Sequence, residues 1–289
     1  KQIHYSRAEK EQLTGYHIGV GVLDSGIFPH EDLKDQIRAF RDFTNKYQLP
    51  YDETGHGTHV CGILAGNGRV LHGKYKGMAP CCDLYVGKIL NKRGEGSLKT
   101  LLRGLQWLLS IAESCNIRVI NISVSSIASA RPEEQRKLYE LFQYAYENNI
   151  LIVTAAGNFG PGDNTISRLG DTPYVICVGC HDGDLENGGL RCQDCSGRGP
   201  GENVWKKPDV VAPGTQIISC QAAYGKYVAR SGTSMATPIV SGLLALAWEK
   251  YPYLNAMQLK RKLILSATDL GESYLMQGAG MVDVEKMLS

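Results

Sequence analysis

The chain has 289 residues, with 31 basic against 29 acidic side chains and a formal net charge of +2. That near balance leaves no electrostatic footprint for a nucleic acid or an anionic membrane surface. No apolar run reaches the roughly 18 residues of a membrane span, and with no low-complexity linker or internal repeat the composition points to one folded domain over residues 1–289.

Taken in chain order, short apolar runs alternate with longer amphipathic ones, which predicts βαβ units and a mostly parallel sheet. The first strand is expected over residues 18–23, running into Asp24-Ser25-Gly26. Gly55-His56-Gly57-Thr58-His59 opens a helical run, and a strand over 84–89 leads into Lys92-Arg93-Gly94-Glu95-Gly96. The spacing then predicts a helix over 97–113, with Leu98, Leu101, Leu105 and Leu108 on one stripe and Ser97 as its cap. A strand over 119–124 ends at Ser123-Val124-Ser125. A helix over 132–148 follows, opened by Pro132 and carrying Leu138, Phe142 and Ala145. Strands are expected over 150–154, 175–178 and 216–219, and from Ser234 the apolar residues Ile239, Val240, Leu243, Leu244 and Trp248 keep helical spacing.

Chemistry enters at four points of this pattern. A serine hydroxyl attacks poorly at neutral pH unless an imidazole takes its proton, and the imidazole needs a carboxylate to fix its tautomer. Asp24, His56 and Ser234 supply that acid, base and nucleophile, each in a glycine-rich setting where backbone can approach a substrate. Asp24 ends a strand, where open α/β sheets place ligands, and Ser234 begins a helix, whose free N–H groups suit a developing oxyanion. Each residue also has a plainer reading. Asp-Ser-Gly is commonly a turn, Asn158 after Ala-Ala-Gly can be a cap, and the His56-x-x-His59 spacing also occurs in metal sites. For the last, no Glu lies between the histidines and no third ligand is evident, so His59 reads as a packed, hydrogen-bonded neighbour.

The order Asp, His, Ser, with the motifs Val-Leu-Asp24-Ser-Gly, Gly-His56-Gly-Thr-His, Ala-Ala-Gly-Asn158 and Ser-Gly-Thr-Ser234-Met-Ala-Thr-Pro, resembles the subtilisin-like serine proteases, the subtilases. The resemblance runs from about residue 16 to 284. It implies an α/β fold, a three-layer αβα sandwich around a mostly parallel sheet of about seven strands. It also implies an endopeptidase working through an acyl-enzyme on Ser234, with the Asn158 side chain and the Ser234 backbone N–H forming the oxyanion hole. Peptide substrates are then held as an added strand between Gly94-Glu95-Gly96 and Ser123-Val124-Ser125, with Ala155-Ala156-Gly157 as the facing wall. Where the family commonly has glycines, this chain has Ser125-Ser126, which implies a narrower or more polar pocket rim. Lys92-Arg93 beside that cleft is expected to disfavour Lys or Arg two positions before the cut, unless it is only a solvated turn.

Substrates are therefore peptides or proteins, with the chain's own propeptide a further candidate and dedicated processing of one partner a narrower version of the function. A catalytically silent relative used for binding is the competing class, and the filled catalytic positions weigh against it. No cofactor is required for this chemistry. The family often locks surface loops with structural calcium, and Asp32 matches one of its acids, but the 67–76 segment carries three cationic residues that oppose a bound cation. Nine cysteines, an odd number, cannot all pair within one chain. They read as free thiols, with a local disulfide second and Cys192-x-x-Cys195 fitting either that disulfide or half a zinc site, and they favour a cytoplasmic setting over a secreted one.

Overall fold

The computed structural model describes residues 3–45, 47–124, 131–182, 191–201 and 205–289. Its centre is a parallel sheet of seven strands: β1 (Gly19–Asp24), β2 (Ile37–Asp42), β3 (Asp83–Lys88), β4 (Ile117–Ile122), β5 (Leu151–Ala155), β6 (Val175–Cys180) and β7 (Val210–Ala212). Their spatial order is β2-β3-β1-β4-β5-β6-β7. Successive side chains of a strand point to opposite faces. In β5, accordingly, Leu151 and Val153 enter one core cluster and Ile152 the other.

Helices cover both faces, giving the three layers. After α1 (Ser6–Lys10), the chain forms α2 (His56–Ala65), α3 (Leu98–Ile111), α4 (Pro132–Glu147), α5 (Cys192–Cys195), α6 (Thr233–Lys250) and α7 (Ala256–Ser266). On one face α3 and α4 bury Leu101, Leu105, Leu108, Leu138 and Phe142 against Leu23, Ile120 and Ile152. On the other, α2 and α6 pack against one another and against Val20, Val22, Val119, Val153 and Val178. Ser97 caps α3 as expected, its hydroxyl accepting from the Thr100 N–H at 3.1 Å. Among the described residues no helix is long and apolar enough to cross a membrane.

Three features differ from the expected pattern. The edge strand β2 reads Ile-Arg-Ala-Phe-Arg-Asp and is half-exposed, so its charges hid it from a search for apolar runs. β7 is three residues long, too short to register as a run. The segment expected as a strand over 216–219 does form, as β8 (Ile217–Cys220), but it pairs antiparallel with β9 (Tyr227–Arg230) in a separate hairpin packed on α2.

The order of strands positions the site. From β3 the chain crosses through α3 to β4, moving from one side of β1 to the other. The carboxyl end of β1, at Asp24, therefore lies at a topological switch point, where crevices open in sheets of this kind.

Candidate active site

Asp24 is fully buried at the end of β1, and its Oδ1 lies 2.7 Å from Nδ1 of His56, the first residue of α2. The contact depends on a close approach of two backbones. A Cβ added at Gly57 would sit 2.2 Å from the Gly26 carbonyl oxygen and 3.2 Å from the Asp24 side chain, so only glycine lets α2 begin here.

A buried polar network fixes that junction. The Ser25 hydroxyl donates to Asp52 Oδ1 at 2.8 Å and accepts from the Gly57 N–H at 2.9 Å. Asp52 Oδ2 accepts from the N–H and hydroxyl of Thr58 at 2.8 and 2.6 Å, and the Thr54 hydroxyl accepts from the His56 N–H at 3.1 Å. Lys88, at the end of β3 and wholly buried, donates to the carbonyls of Ser25 and Leu90, each at 2.7 Å, with Glu53 Oε2 at 3.4 Å. Sequence reasoning passed over Asp52 and Lys88. The signals were an Asp two residues before Thr54 at a helix start, and a lysine closing an apolar run.

The His56 side chain keeps 24% of its surface exposed. Burial by itself pushes its pKa down, but the charge and hydrogen bond of Asp24 outweigh burial and leave the imidazole above its ordinary 6.5. Arg230, which donates to the Thr54 carbonyl at 3.0 Å, works in the opposite direction on the same ring. His59, one turn along, is buried with Nε2 3.0 Å from the carbonyl oxygens of both Ile217 and Val228 on the hairpin. Burial brings its pKa down to about 4, and the ring ties α2 to β8 and β9.

Ser234 is the second residue of α6 and is partly exposed. Its hydroxyl donates to the carbonyl of Ser123, beyond the end of β4, at 2.8 Å. Asn158 is exposed in the segment that follows β5, and its Oδ1 accepts from both the N–H and the hydroxyl of Thr233 at 3.1 Å. That orients the amide, leaving Nδ2 as the half available to donate outward. Four segments distant in sequence thus converge at one end of the sheet: Asp24 and His56 in direct contact, Ser234 and Asn158 joined through Thr233.

The expected peptide-binding segments border the same end. Gly94, Glu95 and Gly96 form a tight loop in which Leu90 pairs with Gly96 and the Asn91 side chain accepts the N–H groups of Arg93 and Glu95 at 2.8 and 3.1 Å. Together with Phe43 and Thr100 it lines a cleft of about 600 Å³. Ser123 and Val124 are buried past the end of β4, while Ser125 and Ser126 lie outside the described residues. Ala155, Ala156 and Gly157 are buried, and the Gly157 carbonyl accepts from the Gly197 N–H at 2.8 Å.

Asp32, the acid that the resemblance suggests for calcium, is buried with both oxygens engaged by hydrogen-bond donors. Oδ1 accepts from the Val70 N–H at 2.9 Å, and Oδ2 from the Tyr227 hydroxyl at 2.5 Å. His30 and Cys220 approach the same carboxylate, but His30 Nδ1 already accepts from the Asp32 N–H and Nε2 lies 3.1 Å from the Lys226 carbonyl. One donor hydrogen thus sits on each oxygen of this carboxylate, and the imidazole and thiol beside it are not the oxygen ligands that a calcium ion takes. The cysteines also require a correction. Cys180 pairs with Cys192, not Cys192 with Cys195, while seven others are free thiols. Cys195 instead points its thiol at the Cys192 carbonyl, because both lie within one turn of α5.

The chain is similar to known proteins along almost its whole length. The profile of the Subtilase family matches residues 15–282. The serine protease AprX of Bacillus subtilis (strain 168) is 35% identical over 95% of this chain and 67% of its own length. Subtilisin DY of Bacillus licheniformis is 33% identical over 96% of this chain and 94% of its own length. The solved structure of sphericase superposes with a TM-score of 0.81 at 30% identity, covering 98% of this chain and 99% of that one. With its seven-stranded parallel sheet between helical layers and these relatives along almost its whole length, the chain belongs to the subtilase family of subtilisin-like serine proteases.

Proposed function

We propose that the chain is an endopeptidase that cleaves peptide bonds through an acyl-enzyme on Ser234, with His56 as base and acid, Asp24 as its orienter and Asn158 in the oxyanion hole. The observation that carries the proposal is the 2.7 Å bond between buried Asp24 and half-buried His56, since it holds Nδ1 protonated and leaves Nε2 as the acceptor. The Ser234 hydroxyl must exchange the Ser123 carbonyl for His56 Nε2. That neutral hydrogen bond is worth only about 1 kcal/mol net, so the exchange is easy. Oγ then attacks the peptide carbonyl carbon as Nε2 takes the proton. The oxyanion draws hydrogen bonds from Asn158 Nδ2 and from the Ser234 N–H in the first turn of α6, where backbone donors have no partner four residues back. His56 passes the proton to the leaving amine, then activates a water that frees Ser234.

The peptide lies extended between Gly94-Glu95-Gly96 and Ser123-Val124, against Ala155-Ala156-Gly157, and the exposed Lys92-Arg93 pair disfavours basic residues two positions before the cut. Substrates are peptides or proteins, the chain's own propeptide among the candidates. We also propose that the 67–76 segment is held without calcium, because Val70 and Tyr227 donate to Asp32 directly. Seven free thiols support a cytoplasmic setting, against which the single disulfide weighs.

Incubating the protein with a fluorophosphonate and a diverse peptide mixture tests the reading. Labelling at Ser234 and a set of cut sites, both lost in Ser234→Ala, are expected. Undiminished cleavage by Ser234→Ala rejects the assignment.

A further inference from the structure

We propose that the Cys180–Cys192 disulfide, acting with Asp182, is a positioning element for the turn that carries Ser234, so that reducing it lowers turnover; this rests on the peptidase reading above and deepens it. Cys180 ends β6 and Cys192 opens α5, with Cα atoms 5.8 Å apart, inside the usual range for a disulfide, and both residues are buried. The Cys192 N–H donates to the Thr215 hydroxyl at 2.8 Å. Asp182, two residues beyond Cys180, accepts the N–H groups of Gly214 and Thr215 on Oδ1, each at 3.0 Å, and the Thr215 hydroxyl on Oδ2. Cys192 Sγ lies 3.6 Å from that second oxygen. Disulfide and carboxylate thus hold one short segment, Gly214-Thr215, from two sides.

Gly214 in turn touches the nucleophile turn. Its carbonyl accepts the Gly232 N–H at 2.9 Å. A Cβ at Gly214 would lie 2.5 Å from Cys180 Sγ, 2.8 Å from the Gly232 carbonyl oxygen and 3.0 Å from Cys192 Sγ, so there is no slack between the sulfurs and Gly232. Gly232 is followed by Thr233, which grips Asn158 Oδ1, and then by Ser234. A path from the sulfurs to the proposed nucleophile and oxyanion donor therefore runs through Gly214, Gly232 and Thr233.

Reduction by a thiol reagent breaks the S–S bond. Two electrons and two protons convert Cys180 and Cys192 to thiols, while two reagent sulfurs join in their own disulfide. The two protein sulfurs then move from covalent to van der Waals separation against Gly214. The Cys192 thiol also gains a proton to donate to Asp182 Oδ2, in competition with the Thr215 hydroxyl. Gly214 shifts, Gly232 follows, and the geometry of attack loosens. The other seven cysteines are already thiols, so a reductant reports on this pair.

The test compares oxidised protein with protein equilibrated in a dithiol reductant until its titratable thiols rise from seven to nine. Reduction is expected to lower kcat about tenfold, with KM changed less than about twofold, as a small misplacement of reacting groups does. Amide exchange should quicken locally at Gly232 and Thr233, re-oxidation should restore both readouts, and Cys180→Ala/Cys192→Ala should sit at the reduced level and ignore reductant. Unchanged kcat and unchanged exchange in wild-type protein with nine titratable thiols overturn the proposal, and so does exchange that quickens evenly through β6, α5 and α6, which marks plain destabilisation. Oxidised protein that neither cleaves peptides nor takes a fluorophosphonate rejects the peptidase reading instead, while the exchange at Gly232 and Thr233 still decides whether the disulfide holds the turn.

Discussion

The helices α3 and α4 meet their face of the sheet through aliphatic and aromatic side chains such as Leu101, Leu105 and Phe142, set against Ile120, and keep their own polar side chains out of the core. The face covered by α2 and α6 buries polar groups as well: Thr58, His59, Thr237 and Ser241 are all inside, each with a partner. Ser241 donates to Asn121 Oδ1 at 2.9 Å, and the Asn121 amide donates to the Ser123 hydroxyl at 2.9 Å, so a buried polar chain runs from α6 to the end of β4. Buried hydrogen bonds contribute little net stability, but leaving one unmade is expensive, and such networks specify geometry. One face is built to hold the sheet, the other to hold side chains in register at its end.

Perturbing the two faces should separate these roles. Ser234→Ala should lower kcat by a factor on the order of 10⁶ with a thermal midpoint close to that of the parent, read by peptide hydrolysis and calorimetry. Phe142→Ala, on the opposite face, should do the reverse: about 3–5 kcal/mol of stability lost in urea unfolding, with kcat per folded molecule unchanged. A large kcat loss in Phe142→Ala would mean that the two faces are not separable. Asn158→Ala should lower kcat about 10²–10³-fold with little change in KM, because its amide donates to charge that develops only in the transition state.

Smaller effects concern the histidines of α2. His59 has a folded pKa of about 4 against an ordinary 6.5, so the unfolded chain binds this proton first as pH falls. Its contribution to stability is complete above pH 6.5 and is lost as pH drops toward 4, a change of about 3 kcal/mol. Urea midpoints across that range should show the loss, and His59→Gln should flatten it. For His56, whose pKa is raised, the neutral base is populated above that pKa, so kcat/KM should rise with pH through a midpoint above 6.5. Asp24→Asn should move that midpoint to lower pH, and an unmoved midpoint would detach the carboxylate from the base.

How much was legible in the sequence follows the same division. The stripe of Leu98, Leu101, Leu105 and Leu108 with Ser97 before it located α3 to within a residue or two, because an amphipathic helix writes its buried face at a fixed period. α6, buried on nearly all sides, carried that period faintly and was located by its motif as much as by its pattern. β2 and β7 went unseen, one because an exposed edge tolerates charge and the other because three residues carry no periodicity. Within the site, Asp24, His56, Ser234 and Asn158 stood out through their glycine-rich motifs, while Asp52 and Lys88 did not, since an isolated acid or lysine looks like surface until burial is known.

Sequence alone determined the βαβ alternation, the residue types available for chemistry and, through the family resemblance of its motifs, the expected αβα layering, because local periodicity and short motifs are written in consecutive positions. Only the tertiary structure decided that Cys180 pairs with Cys192, that Asp32 is answered by Val70 and Tyr227, and that Gly214 lies between the disulfide and the turn before Ser234. Those contacts join residues far apart in the chain. Which of the chemically equivalent partners meet is set by how strands and helices pack, and not by anything adjacent in the sequence.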